Sequence, residues 1–187
     1  MDLEELRKLI LKCERCHLRK NARAPVPGEG REGAKMMLVG EAPGAKEDEL
    51  GRPFVGRAGR LLRSSLKILG IPEEDVYITN VVKCRPPKNR TPTLSEMKTC
   101  GIRLEKEVLL VKPRVIVALG RIATAFFLGK SPDSIRMSKM RARAFSYRGF
   151  TVYPTYHPAA VLRNPSLGEA FREDLKKARE LASGIYA

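Results

Sequence analysis

The sequence has no glutamine, only two histidines, and no apolar run near the roughly 18 residues a membrane span needs. It begins Met1-Asp2-Leu3-Glu4-Glu5, acidic where a secretory signal is basic and then apolar. These absences predict a cytoplasmic protein with no membrane partner. Scarce amide side chains beside 30% charged residues also lean towards a heat-adapted source. In a reducing compartment the four cysteines stay as thiols, so metal ligation is a better first reading than two disulfides.

What is present is basic charge. Thirty-six Lys and Arg against 21 Asp and Glu leave a net charge of +15 on 187 residues. That footprint suits a polyanion, with nucleic acid foremost, although charge alone is equally compatible with a solvated surface. The length predicts one domain, residues 1–187, able to bury about 70% of its extended-chain surface.

Apolar spacing predicts a helix over Leu3 to Leu11 that runs into Cys13-x-x-Cys16. Buried strands are expected at Lys35 to Gly40, Val76 to Val82, Val115 to Gly120 and Phe150 to Tyr156. Between them come a helix through Leu61, Leu62, Leu66 and Leu69 closed by Gly70, a helix from a Thr93 or Ser95 cap to Val111, and Ile122 to Leu128. A last amphipathic helix covers Leu167 to Ala182. Three prolines make Arg85 to Pro92 an exposed basic loop, and Ser134 to Arg148 is basic without a pattern. Strands alternating with helices predict an α/β fold: a three-layer α/β/α sandwich around a mainly parallel central sheet. Sites in such folds lie beyond the carboxyl ends of the strands, and Glu41, Asn80 and His157 all fall at or just after predicted strand ends.

Cys13 and Cys16 form one close pair, and Cys84 and Cys100 flank the Pro-rich loop. That pattern fits a closed metal site, and spacing does not separate zinc from an iron–sulfur cluster. Glu41 sits in a Gly-Glu-Ala-Pro-Gly turn able to aim its carboxylate across the sheet edge, or merely to bond a helix start. Phe54 is either core or a stacking platform whose Gly-rich flanks allow a flat ligand close. Asn80 carries the donor and acceptor needed to read a base edge, or caps a strand-end turn. His17, beside the candidate ligands, reads as a bystander.

Gly40-Glu41-Ala42-Pro43-Gly44, Glu47-Asp48, the run Gly51-Arg52-Pro53-Phe54-Val55-Gly56-Arg57-Ala58-Gly59, Asn80, the Cys84 and Cys100 pair and His157-Pro158-Ala159-Ala160 occur in order along the chain. Together they resemble the family 4 uracil-DNA glycosylases, the thermostable iron–sulfur type. The resemblance implies the uracil-DNA glycosylase fold, uracil-containing DNA in single- or double-stranded form as substrate, and a structural [4Fe-4S] cluster on Cys13, Cys16, Cys84 and Cys100, with zinc the lesser alternative. It implies catalytic roles for Glu41, on the attacking water, and His157, at uracil O2. It also implies a substrate site including Gly40, Ala42 and Gly44, with Phe54 stacking on the base, Asn80 pairing with it and Glu47 blocking a thymine methyl. Val161 or Leu162 is implied as the wedge filling the vacated space. No histidine lies between His17 and His157, where a related family that traps uracil-DNA covalently has one, and Glu41 stands where the broader-specificity family 5 is apolar. A sliding clamp or polymerase stays open as a recruiting partner. The rival reading is a non-enzymatic nucleic-acid-binding module with structural zinc. Phosphate contacts are expected from Arg57 to Arg63, Arg85 to Arg90 and Arg136 to Arg148.

Overall fold

A computed structural model describes residues 1–184. Its sheet has five strands in the order β2-β1-β3-β5-β4. Strands β1 (Met36–Gly40), β2 (Val76–Asn80), β3 (Val115–Leu119) and β5 (Phe150–Thr155) run parallel, while β4 (Phe145–Tyr147) pairs antiparallel with β5 at one edge. The helices are α1 (Leu3–Leu11), α2 (Leu18–Asn21), α3 (Ala45–Leu50), α4 (Arg57–Ile68), α5 (Leu94–Val111), α6 (Arg121–Leu128), α7 (Met137–Met140), α8 (Pro158–Arg163) and α9 (Gly168–Ala182).

The period of two along each strand divides the core. Met37, Val39, Tyr77, Ile116, Ala118 and Val152 face one side, where they meet Leu104 and Val108 of α5 and Ile122 and Phe127 of α6. Met36, Leu38, Ile78, Val115, Val117 and Tyr153 face the other, against Leu62 and Leu66 of α4 and Phe171 and Leu175 of α9. A sheet buried on both faces reads as continuous apolar runs, which is why the central strands were legible. The three-layer sandwich expected from the sequence is present. No helix among the described residues is long and apolar enough to cross a membrane.

Several boundaries differ from expectation. β2 stops at Asn80 rather than Val82, because Lys83 folds back on the strand end and draws the chain into a bend. Thr93, not Ser95, caps α5, sharing a capping box with Glu96. The stretch Ser134 to Arg148 is structured: it holds α7, and β4 turns into β5 through Arg148 and Gly149, both at positive φ as a two-residue hairpin requires. Short helices α3 and α8 follow the Gly44 and His157 turns and were also unforeseen.

That hairpin is tied down from below. Asp174 of α9, only 1% exposed, takes both arms of Arg141 at 2.6 and 2.9 Å and the Thr155 hydroxyl at 2.7 Å. Asp174→Ala leaves a partly buried guanidinium and a buried hydroxyl without their acceptor. A loss of about 3–5 kcal/mol is expected in denaturant unfolding, with the unfolding slope unchanged.

Candidate active site

Parallel register brings Gly40 and Asn80 side by side at the carboxyl ends of β1 and β2. Gly40 has no side chain, and the space a Cβ would need is taken by the Phe54 ring and by Asn80 Oδ1. The Phe54 and His157 rings lie 5.8 Å apart at 30°. Phe54, Asn80 and His157 line a cleft of about 470 Å³ together with Ala42, Gly44, Glu47, Gly56, Arg57, Gly59, Asn89 and Ala159, within the usual size of small-ligand sites. A larger hollow, about 870 Å³, opens by Glu73 and Val76 at the opposite end of β2 and gathers none of the expected catalytic, base-binding or metal-ligating residues.

Asn80 is 3% exposed, and its Oδ1 accepts no hydrogen bond from the described residues. A buried carbonyl oxygen left unmatched costs about 1–3 kcal/mol. Phe54 stands at φ +54°, a left-handed conformation that a bulky side chain adopts only under constraint. The constraint is visible. Arg63 donates to the Phe54 carbonyl at 2.9 Å and to that of Pro53 at 2.8 Å, and Gly59 of α4 packs directly on the Phe54 backbone, where any Cβ would collide.

Glu47 belongs to the cleft wall, but its carboxylate is committed to the backbone. Oε1 accepts from Gly44 N–H at 2.9 Å, and Oε2 from Val55 and Gly56 N–H at 2.8 and 2.6 Å. It thereby ties the first turn of α3 to the segment that presents Phe54. His157 caps α8 by accepting the Ala159 N–H on Nδ1 at 3.0 Å, which leaves the ring hydrogen on Nε2. Burial, helped by the Arg163 cation, pushes His157 down to about 4. The imidazole is therefore neutral at physiological pH, with Nε2–H free to donate. Glu41, half-buried one residue past β1, borders the cleft without being part of its lining. Burial raises its pKa, opposed by Arg121 and Arg163. Of the two wedge candidates, Val161 is packed in the core at 6% exposure and only Leu162 stands out, at 36%.

The basic segments divide. Arg90 forks onto Glu96, Arg141 onto Asp174, and Arg63 onto the Phe54 segment, so these cations serve the fold. Arg57, Lys88, Arg136 and Arg143 stay exposed, and Asn89 carries the Pro-rich loop to the cleft rim. Sequence reading missed Glu96, which is 1% exposed. It accepts from Arg90, contacts His17 Nε2 at 2.9 Å, and is held by Arg90 well below the usual carboxylate range, at about 2. His17 thus links the cysteine segment to the basic loop.

The four cysteines line one small cavity between α1, the Pro-rich loop and α5. Among the described residues, no three His, Cys, Asp or Glu side chains close round one point as a single bound ion requires. The donor set nevertheless fits a metal centre. Burial pushes Cys84 up to about 12 and Cys100 up to about 11, so these thiols ionise only against a compensating cation. Lys83 N–H donates to Cys100 Sγ at 3.1 Å, and Arg103 Nε, buried without a partner, borders the same cavity as a ready donor to anionic sulfur.

The family model of the uracil DNA glycosylase superfamily matches residues 27–180. The chain is 47% identical to a type-4 uracil-DNA glycosylase of Pyrobaculum aerophilum over 180 residues, 94% of this chain and 92% of that protein. It is 46% identical to one of Thermotoga maritima over 180 residues, 95% and 93% of the two chains. A third, from Sulfurisphaera tokodaii, is 44% identical over 186 residues, 96% of this chain and 84% of that protein. With a match over most of its length and relatives aligned nearly end to end, the chain belongs to the uracil DNA glycosylase superfamily, in its type-4 group.

Proposed function

We propose that this chain hydrolyses the N-glycosidic bond of uracil in DNA, leaving an abasic site and opening base-excision repair. The observation that carries this reading is the unmatched, buried Oδ1 of Asn80, which shares the space above Gly40 with the Phe54 ring in the cleft that His157 also lines. An acceptor waiting beside an aromatic ring suits a flat heterocycle with an N–H on its polar edge, as uracil has at N3. Its partner is uracil-containing DNA, and residues 1–187 act as one domain.

A base inside a duplex is unreachable, so the nucleotide leaves the stack at a cost of a few kcal/mol. Exposed Arg57, Lys88, Arg136 and Arg143 hold the phosphates, and Leu162 fills the vacated space. Phe54 stacks on the uracil while the Asn80 amide pairs with it, Oδ1 accepting from N3–H and Nδ2 donating to O4. Gly40, Ala42 and Gly44 keep the floor low, and Glu47 holds the wall against the C5 position where thymine carries a methyl. As the C1′–N1 bond breaks, its electron pair leaves with uracil. His157 Nε2–H donates to O2 where that charge gathers, and a neutral ring does so without the burden of a desolvated cation. Glu41 accepts a proton from the water whose oxygen bonds to C1′, and its negative charge favours the cationic sugar. The departing uracil anion takes up a proton from solvent.

The cysteine cavity supports a [4Fe-4S] cluster held by Cys13, Cys16, Cys84 and Cys100, with zinc the lesser alternative. Its contribution would be structural: bound by the four cysteine sulfurs, it would join α1 to the Pro-rich loop and to α5.

Release of uracil from a labelled single-uracil oligonucleotide, single- and double-stranded, with a thymine control, tests the function. Wild-type release and a loss of about 100-fold or more in Glu41→Ala are expected. No release from either strand form, with DNA still bound, favours the binding-module alternative. The pH dependence has a defined sign. Glu41 loses its charge as pH falls through a value raised above the usual 4.5, before His157 charges near 4. The acid limb of kcat/KM therefore belongs to Glu41. Because a raised carboxyl gives its stability below that value and loses it as pH rises through it, Glu41→Gln should unfold later than wild type at pH 7 while being nearly inactive.

Asn80→Asp should admit cytosine, whose N3 accepts and whose N4 donates; unchanged selectivity would remove Asn80 from base reading. Cys84→Ala should lower the midpoint of thermal unfolding and the metal content, with activity per folded molecule little changed. Wild-type stability after complete chelation of the metal would contradict that role.

A further inference from the structure

Resting on the reading of Asn80 as the group that recognises the base, we propose that Lys83 is its positioning residue: a buried ammonium that stands in for a missing neighbouring strand and fixes the peptide from which the Asn80 amide is aimed.

β2 is an edge strand. In its parallel pairing with β1, Val81 N–H donates to the Gly40 carbonyl, which turns the main-chain groups of Ile78 and Asn80 outward, away from β1. Ile78 is met there by an isolated bridge to Glu29, with bonds of 2.9 Å in each direction. On that outer side no strand among the described residues reaches Asn80. Its carbonyl is met instead by Lys83 Nζ at 2.7 Å. Because Asn80 Oδ1 is unpartnered, the direction of its amide depends on this peptide and on the Phe54 ring.

Lys83 is itself immobilised. Its side chain is 2% exposed, and Nζ spends its remaining donors on Thr79 Oγ1 and Glu107 Oε2, both at 2.6 Å. Glu107, 0% exposed, also accepts from Gly28 N–H at 3.0 Å, Tyr77 OH at 3.1 Å and Thr79 OH at 2.9 Å. At the main chain, Lys83 N–H is on Cys100 Sγ at 3.1 Å, and its carbonyl accepts from Val26 at 2.6 Å. The ammonium is a fixed point between the cysteine centre and the base site. Without it the Asn80 peptide loses its outward partner and the amide its aim, while the phosphate-facing cations are untouched. A misplacement near 1 Å in such a site costs about 100-fold in rate.

The test is a double-mutant cycle on the full, metal-loaded protein. Lys83→Met with Glu107→Gln removes both charges together, so that neither is left buried alone, and is combined with Asn80→Ala. Single-turnover uracil release, inhibition by free uracil and binding to an abasic-site oligonucleotide are measured. Expected are a fall of about 100-fold in release and an inhibition weaker by about tenfold in the pair variant, with abasic-DNA binding within about twofold of wild type. In the Asn80→Ala background the same pair substitution should cost less than about twofold. Phe127→Ala, a buried change on α6 that packs on Tyr147 of β4 at the sheet edge opposite β2, should lower stability without weakening inhibition by uracil. Equal losses in both backgrounds, or matching behaviour of Phe127→Ala, overturn the proposal. If the pair variant does not fold, the near-isosteric Thr79→Val, which deletes one Nζ acceptor, takes its place: weaker uracil inhibition at unchanged abasic-DNA binding supports positioning, and unchanged inhibition refutes it. A wild type that releases no uracil refutes the reading of the site first, whereas additive losses in an active wild type refute Lys83 positioning alone.

Discussion

The buried contact between Lys83 and Glu107 organises much of what surrounds it. An unpaired charge inside a protein costs several kcal/mol, so such a pair persists only when nearly every donor and acceptor is met. Here the ammonium has three acceptors and the carboxylate four donors, drawn from β2, α5 and the segment before β1. Meeting them fixes where β2 stops, how α5 lies on the sheet and where Cys84 and Cys100 fall. A hydrophobic contact would hold these elements together too, but without choosing the direction of a single carbonyl.

Around that fixed point the site gathers features that oppose stability. Phe54 is at positive φ, Asn80 Oδ1 is unmatched, Glu41 is a raised carboxyl and His157 a half-buried neutral ring. Each is costly in the free protein, and each presents an unmet interaction to a ligand. The two core layers, with the Asp174 and Glu96 networks, offset these costs. The basic surface is likewise divided: cations engaged with Asp174, Glu96 and the Phe54 segment hold the fold, and the exposed ones face solvent at pH 7.

Legibility followed periodicity and local chemistry. The central strands and α1, α5, α6 and α9 were readable because apolar spacing reports burial directly. The hairpin of β4 and β5 was not, since its turn is Arg148-Gly149 rather than an asparagine-led pair and its edge strand is three residues long and buried on neither face. Glu41, Asn80 and His157 were singled out because strand ends in a parallel sheet converge. Lys83, Glu96, Glu107 and Asp174 looked like ordinary surface charges, and nothing local marks a charge as buried.

By itself the sequence determined the layered α/β fold, the strand ends that carry the site, the resemblance to a glycosylase family and the four cysteines as one candidate set. Those conclusions rest on short-range spacing and on motifs in order. Tertiary structure alone decided that Phe54 and Asn80 share the space above Gly40, that Glu47 is committed to three backbone amides, that Val161 is core while Leu162 is exposed, and that Lys83 reaches the Asn80 carbonyl. Each of these depends on which distant segments meet, and burial and hydrogen-bond geometry exist only after they have met.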